Sequence, residues 1–408
     1  SPRFAEAFGI GLPAGMLSGA ASGRFTLSLA RGTAPGFTLA SDLAGLGLRL
    51  PEVAWSKAAA AGGRLDVAGA LERPVRIDRL TLAAPGLDAD GRVRLTPEGQ
   101  LAELAFTNVR LGGWLSAPVR LTPAGDGRLA VAIGGGELSL AALPEGLSGG
   151  GGGGGGGGSG GGTPIEVALD RVQVSEGIAL TGFRGSFSTA GGFSGQFSAR
   201  INGAAPVQGT LAPAASGRTA RRLRAEDAGA TLAAAGIVRT ARGGSFDLVM
   251  QPAAAPGTWN GRLSIADTRV VDAPILAALL NAISVVGLIE RLGGEGLAFS
   301  DVQASFRLTP DTVTITDGSA VGASLGVSMA GTYGLRSRRI AFQGVFSPVY
   351  MLNGIGALLT RRGEGLFGFN YAVNGTADAP QVSVNPLSIL TPSMFRDLFR
   401  RTPPEITE

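Results

Sequence analysis
Apolar residues recur at every second position, in short runs, along most of the chain. Leu129, Val131 and Ile133 form one run, and Ile165, Val167 and Leu169 another. Phe193, Gly195, Phe197, Ala199 and Ile201 keep the same spacing, as do Phe246, Leu248 and Met250, and Trp259, Gly261, Leu263 and Ile265. The pattern continues through Val302–Leu308, Val313–Ile315, Leu325–Met329, Ile340–Phe346, Phe367–Val373 and Val382–Val384. A period of two sends alternate side chains to opposite faces of a strand, so each run carries one apolar face. Ala124-Gly125-Asp126-Gly127, Asp88-Ala89-Asp90-Gly91 and Thr316-Asp317-Gly318 read as turns between strands. Together these features predict a mainly β chain, a long curled antiparallel meander shaped as an open groove.

Few segments have helical spacing. The strongest is 273–291, with Asp272 placed to cap it, Pro274 in its first turn and Gly293-Gly294 to end it. Residues 349–361 and 392–401 are read as short amphipathic helices near the C-terminus, and 51–61 as a further helix. The uncharged run from Ala273 to Ile289 is short for a membrane span, which takes about 20 residues. Residues 148–162 hold only Gly and Ser and form a flexible linker. It separates an N-terminal β-groove segment, 1–147, from a second, 163–408. Strand grammar is alike on both sides, so the linker reads as a loop within one architecture.

Composition narrows the chemistry. The chain of 408 residues has no His and no Cys. Thiol nucleophiles, histidine bases, Cys/His zinc sites and disulfides are therefore excluded. Glu6, Glu52, Asp301 and Asp311 lie in turn-like contexts and read as solvated or capping groups. Gly293–Gly296 and Gly363–Gly365 lack the Lys-Ser/Thr ending of a phosphate loop. Ser18 and Ser324 have no histidine to act as base. The expectation is a protein that is not an enzyme, with no catalytic residue, metal or cofactor. Net charge is +4, from 35 basic and 31 acidic residues, and Lys57 is the one lysine. Arginines are scattered in small groups, Arg221/Arg222/Arg224 and Arg336/Arg338/Arg339 among them, and no basic stripe for nucleic acid is seen. The first residue is Ser1, with no leader-like run after it, and the expectation is a piece of a longer protein.

Only 16% of residues are charged, 44% are hydrophobic, and glycine (67) with proline (23) exceeds a fifth of the chain. A one-faced sheet must cover its apolar side, and the predicted helices are too few to do so. About 20 strands at ~4.8 Å would make a sheet on the order of 100 Å long, which curls. Strand-interior Gly195, Gly261, Gly344 and Gly368 are expected to ease bending and leave room inside. Lipid acyl chains suit such a lining, because they need no specific polar partner. The groove-wall candidates are Leu263, Ile265, Phe306, Leu308, Leu325, Val327, Ile340, Phe342, Phe346, Phe369 and Tyr371. The candidates for helical contact with lipid or membrane are Ile275, Leu276, Leu279, Leu280, Ile283, Met394, Phe395 and Phe399. Asn353 and Asn385 read as turn residues.

Several stretches resemble a known family. They include Val270-Val271-Asp272-Ala273-Pro274, Glu295-Gly296-Leu297-Ala298-Phe299 and Ala320–Gly326. Ser347-Pro348-Val349-Tyr350-Met351-Leu352-Asn353, Gly363-Glu364-Gly365-Leu366-Phe367 and Asn374-Gly375-Thr376 follow. Asp378-Ala379-Pro380-Gln381-Val382 and the closing Val384-Asn385-Pro386-Leu387-Ser388 with Thr391-Pro392 complete them. This region, about 255–400, is similar to the AsmA-like C-terminal region of YhdP/TamB-type bridge-like lipid transfer proteins. The resemblance implies a periplasmic protein of a Gram-negative envelope, anchored upstream in the inner membrane. Its partners would be phospholipid or another acyl lipid and the surfaces or proteins of the inner and outer membranes. Two other readings remain open on the residues alone. One is a structural envelope or surface protein, solenoid- or adhesin-like, with a dry core. The other is an outer-membrane barrel, for which three Trp and three Tyr make thin aromatic girdles.

Overall fold
A computed structural model describes residues 15–125, 128–144, 147, 162–282, 286–348 and 368–390. The helical readings at 349–361 and 392–401 lie outside them, as do nearly all of the glycine linker, Ile283, Met394, Phe395 and Phe399. The chain is mainly β, with mostly antiparallel, curled sheet and few short helices. It forms two compact units, Ser1–Ala199 with Gly217–Thr219, and Arg200–Ser216 with Ala220–Glu408.

The first unit begins with β1 (Leu17–Gly19), β2 (Arg24–Ser28), β3 (Gly36–Ser41), β4 (Leu46–Leu50), β5 (Trp55–Lys57) and β6 (Arg64–Ala70). It continues with β7 (Arg76–Ala84), β8 (Leu87–Leu95), β9 (Leu101–Leu111), β10 (Leu115–Pro123), β11 (Leu129–Gly134) and β12 (Glu137–Ser139). β13 (Pro164–Ser175), β14 (Ile178–Ser188) and most of β15 (Ser194–Ile201) complete it. β1, β4 and β5 make a small separate sheet inserted between β3 and β6. The other strands pair in chain order, β2-β3-β6-β7-β8-β9-β10, as antiparallel neighbours. β11 and β12 together fill one strand position, kinked at the left-handed Gly135 and Gly136, between β10 and β13.

Here the meander is broken. β13 runs parallel to β11 and β12. A parallel neighbour needs a long return connection. Residues 140–163, which contain the glycine linker, are that connection. The linker thus joins two adjacent strands of one sheet, and the boundary between compact units lies near residue 200.

Three local readings are corrected. Asp88–Gly91 lies inside β8, with Asp88 and Asp90 outward and Ala89 buried inward. Strand pairing to Ala83, Leu82 and Thr81 overrides its turn composition. Thr316-Asp317-Gly318 is a bulge in β22 (Thr312–Val321), where the Thr316 hydroxyl donates to the Ser305 carbonyl at 3.1 Å. Residues 51–61 are not a helix. A single 3-10 turn, Pro51–Val53, ends at left-handed Ala54, and β5 follows, with Trp55 Nε1 donating to Pro85 O at 2.9 Å.

The second unit holds β16 (Ala205–Pro213), all but the first residue of β17 (Thr219–Ala225), α1 (Ala228–Ala234), β18 (Ala241–Arg242), β19 (Ser245–Pro252) and β20 (Trp259–Val270). Two helices follow, α2 (Pro274–Ala282) and α3 (Val286–Gly293). β21 (Leu297–Leu308), β22, β23 (Leu325–Gly334), β24 (Arg339–Pro348), β25 (Phe369–Thr376) and β26 (Ala379–Asn385) close it. β17-β19-β20-β21-β22-β23-β24-β25-β26 form one antiparallel ladder. The Asp227 carboxylate caps α1 by accepting from Ala230 N at 2.8 Å. In α2 the first helical bond is accepted by the Ala273 carbonyl, with Pro274 at the next position and Asp272 left-handed. α3 ends at Gly293, and Gly296 N then donates to Arg291 O at 2.7 Å.

α2 and α3 leave the sheet between β20 and β21 and yet pack on Tyr371, Val373, Val382 and Val384 of β25 and β26. β26 is five strand positions from β21, about 24 Å along a flat sheet. A nine-residue helix is only about 13 Å long. The ladder therefore curls around the helices with its apolar face inward. Among the described residues, no helix is long and apolar enough to cross a membrane.

Candidate functional site
Residues paired across a ladder share a face, so the registers trace its apolar rows. In the first unit one row runs Phe25, Leu39, Val67, Leu80, Gly91, Phe106, Val119, Ile133, Val167, Gly185. The next runs Leu27, Phe37, Gly69, Ile77, Val93, Leu104, Leu121, Val131, Ile165, Phe187. No charged or hydrogen-bonding side chain interrupts either row. From Leu39 to Ile165 these side chains are half-buried. At the sheet edge, where β2 pairs with β3, Phe25 and Leu27 are 57% and 46% exposed. The opposite face is polar. Glu103 there is paired at 3.0 Å with both Arg94 and Arg120.

The second unit has the same rows but adds cover. Phe246, Ile265, Val302, Ala320, Val327, Phe346 and Phe369 form the row nearest the helices. α1 packs over Phe246 and Ile265, while α2 and α3 pack with Leu325, Ile340, Phe346, Tyr371 and Val373. Leu279 and Leu280 are in that core at 2% and 0% exposure, and Phe346 at 1%. Tyr371 also donates its hydroxyl to the Ser328 carbonyl at 2.9 Å. Of the groove-wall candidates, Ile265, Leu325, Ile340, Phe346 and Tyr371 are thus inside the protein's own core. Leu263, Phe306, Leu308, Val327, Phe342 and Phe369 are half-buried. Among the helix candidates, Leu276 is half-buried against the core and Ile275 is 37% exposed.

Strand glycines do not leave room on this face as expected. The Phe306 ring lies over Gly261, Phe342 over Gly331, and Phe187 over Gly185 and Gly195. A β-carbon at any of these positions would strike the ring. Glycine here seats an aromatic ring flat on the neighbouring strand and smooths the wall.

Polar chemistry is sparse. Lys57 is buried, but Nζ donates to the carbonyls of Leu43, Leu46 and Ala58 at 2.8, 2.9 and 3.3 Å. All three ammonium donors are used, which makes it a staple of the small sheet. Asp311 pairs with exposed Arg336 and Glu52 is exposed in its 3-10 turn, whereas Asp301 lies inside β21 and not at a turn, paired to Ala266 and Val321, and accepts from Gln303. Asn385 Oδ1 accepts from Leu387 N at 3.1 Å, an Asx turn. Among the described residues, no group of three or more acidic side chains could hold a metal ion. An open depression of about 220 Å³ is lined by Gln208, Thr210, Arg222 and Arg224. Asp247 offsets one of its two positive charges. Arg222 holds both carboxylate oxygens and Arg224 lies 3.7 Å away. The Arg222 hydrogen bond is the main reason the Asp247 pKa lies below the ordinary carboxylate value.

The arginine trio seen in the sequence is split by strand alternation. Arg222 and Arg224 point outward, whereas Arg221 points to the apolar face, stacked 4.2 Å from the Trp259 ring centre. The missed signal was their position on a strand of period two, where odd and even neighbours part. The apolar face, which at the described in-facing positions of β17 and β19 to β26 carries this single cation, is the feature most suited to a ligand. Comparison with family models, with curated proteins and with solved structures gave no match.

Proposed function
We propose that this chain is a non-catalytic lipid carrier that holds acyl chains against the apolar rows of its sheets. In this reading it is a segment of a conduit moving phospholipid between the inner and outer membranes through the periplasm. One observation carries the proposal: two apolar rows cross ten strand positions of the first unit without a polar interruption, exposed at Phe25 and Leu27, half-buried from Leu39 to Ile165, and buried only at Phe187. At ~4.8 Å per strand they extend about 43 Å. An acyl chain spans half of a ~30 Å hydrocarbon core, so the rows exceed one chain by about threefold. A carrier for single molecules needs a pocket, whereas a conduit needs a wall longer than its cargo. Each buried methylene contributes ~0.8 kcal/mol on leaving water. A smooth wall supplies that without a polar grip that would stop movement. The resemblance of residues 255–400 to bridge-like lipid transfer proteins supports the envelope setting.

The test is lipid extraction and mass spectrometry of the purified chain, followed by titration of the delipidated protein with a fluorescent fatty-acyl probe. Co-purifying phospholipid and saturable probe binding are expected. Leu104→Asp or Phe306→Asp should remove probe binding while the far-ultraviolet spectrum stays that of a β protein. Delipidated protein that is fully stable and binds no probe would instead favour a dry structural role.

A further inference from the structure
The in-facing positions of β17 and β19 to β26 carry one charged side chain among the described residues, Arg221. It sits opposite Met250, in the row continued by Gly261, Phe306 and Ile315. The carboxylate of the adjoining strand, Asp247, is on the other face and is held by Arg222 and Arg224. No ion pair or hydrogen bond links Arg221 to a described residue, and its contact is the stack on Trp259. Burial alone pulls its pKa below the ordinary guanidinium value, with no opposing carboxylate.

A half-buried guanidinium without a counter-charge is costly, and such groups normally find an anion. Stacking on the indole occupies one face of the planar group and leaves its in-plane N–H donors free. Those donors match two phosphate oxygens at once, which an ammonium does not. On either side of this cation the wall is hydrocarbon: Leu223 and Leu248 along one direction, Phe306 and Leu308 along another. We propose that Arg221 binds the phosphate head of an acyl lipid whose chain lies on these neighbouring apolar rows. The inference rests on the acyl-binding reading above and adds to it a headgroup class and a fixed point on the wall.

The test uses the full chain, delipidated, with two tail-labelled probes of identical acyl chains: phosphatidic acid and diacylglycerol. Arg221→Met keeps the length of the side chain and suits an apolar face, and Arg221→Lys keeps the charge without the fork. The charged contact predicts a loss of about 10- to 100-fold in phosphatidic acid affinity for Arg221→Met. Diacylglycerol binding should stay within about twofold, which also reports that the variant is folded. Arg221→Lys should fall between. Equal losses for both probes, or no loss for either, would overturn the headgroup assignment while leaving acyl binding intact. Wild-type protein that binds neither probe would overturn both readings. Displacement of phosphatidic acid by inorganic phosphate at matching concentration would assign Arg221 to a free anion instead.

Discussion

The two units are written in the same strand pattern, yet their apolar faces meet different fates. In the first, Phe25 and Leu27 reach 57% and 46% exposure, and the rows behind them stay half-open. In the second, the corresponding face is folded around α1, α2 and α3, and Leu280 and Phe346 fall to 0% and 1%. The difference is made by insertions between strands, at the turns from β17 to β18 and from β20 to β21. An alternating strand specifies that one face is apolar. Whether that face becomes core or wall depends on what the connections bring to it.

This contrast can be broken most sharply at Leu280. Leu280→Ala opens a cavity in a core with no solvent contact and should cost about 2–5 kcal/mol, read by urea unfolding. Leu104→Asp, on an open row, should cost only about 1 kcal/mol by the same measurement, because the carboxylate can reach water. Equal costs at the two positions would show that the first unit's rows are covered after all. The first unit has a tight spot of its own at Lys57. Lys57→Met would remove the ammonium that donates to the Leu43, Leu46 and Ala58 carbonyls, two of these bonds buried, and should cost about 1–3 kcal/mol, without changing acyl-probe binding. A loss of binding there would tie the small sheet to the wall.

The smallest effect is expected at Asp247. Its pKa is depressed in the folded state, so its contribution is complete above the ordinary value of 3.8 and is lost as pH falls below it. Both partners are substantially solvated, so the loss is slight. Asp247→Asn should lower stability near pH 7 by about the amount of one surface pair and flatten the profile below the ordinary carboxylate value. A large acid dependence that survives this substitution would place the sensitive carboxylates elsewhere.

Much of the ladder was readable from spacing. The runs at 129–133, 165–169, 246–250, 259–265 and 302–308 each fall within a strand, and 273–291 holds helices that end at Gly293. Local composition misled where tertiary pairing was stronger. Asp88–Gly91 has the residues of a turn, but neighbours on both sides supply hydrogen bonds that hold it extended. Thr316–Gly318 also looked like a turn and proved to be a bulge. At 51–61 the alanines favoured a helix, whereas Trp55 is pinned to Pro85, thirty residues away. Arg221 was visible only as one of three neighbouring arginines. Its separation from Arg222 and Arg224 appears once the strand and its register are known.

By itself, the amino-acid sequence determined that this protein is built of one-faced strands, that helix is scarce, and that thiol and imidazole chemistry are absent. Those properties depend on residue type and on spacing over a few positions, which the local backbone enforces without reference to distant parts of the chain. The tertiary structure alone decided which apolar rows are sealed and which stay open, and that the strands flanking the glycine linker are parallel neighbours. It also decided where a lone guanidinium meets the hydrocarbon wall. Each of these depends on residues far apart in the chain: α2 against β26, β11 beside β13 across the linker, Arg221 on Trp259. Cover and isolation are properties of such long-range contacts, and no short window of residues contains them.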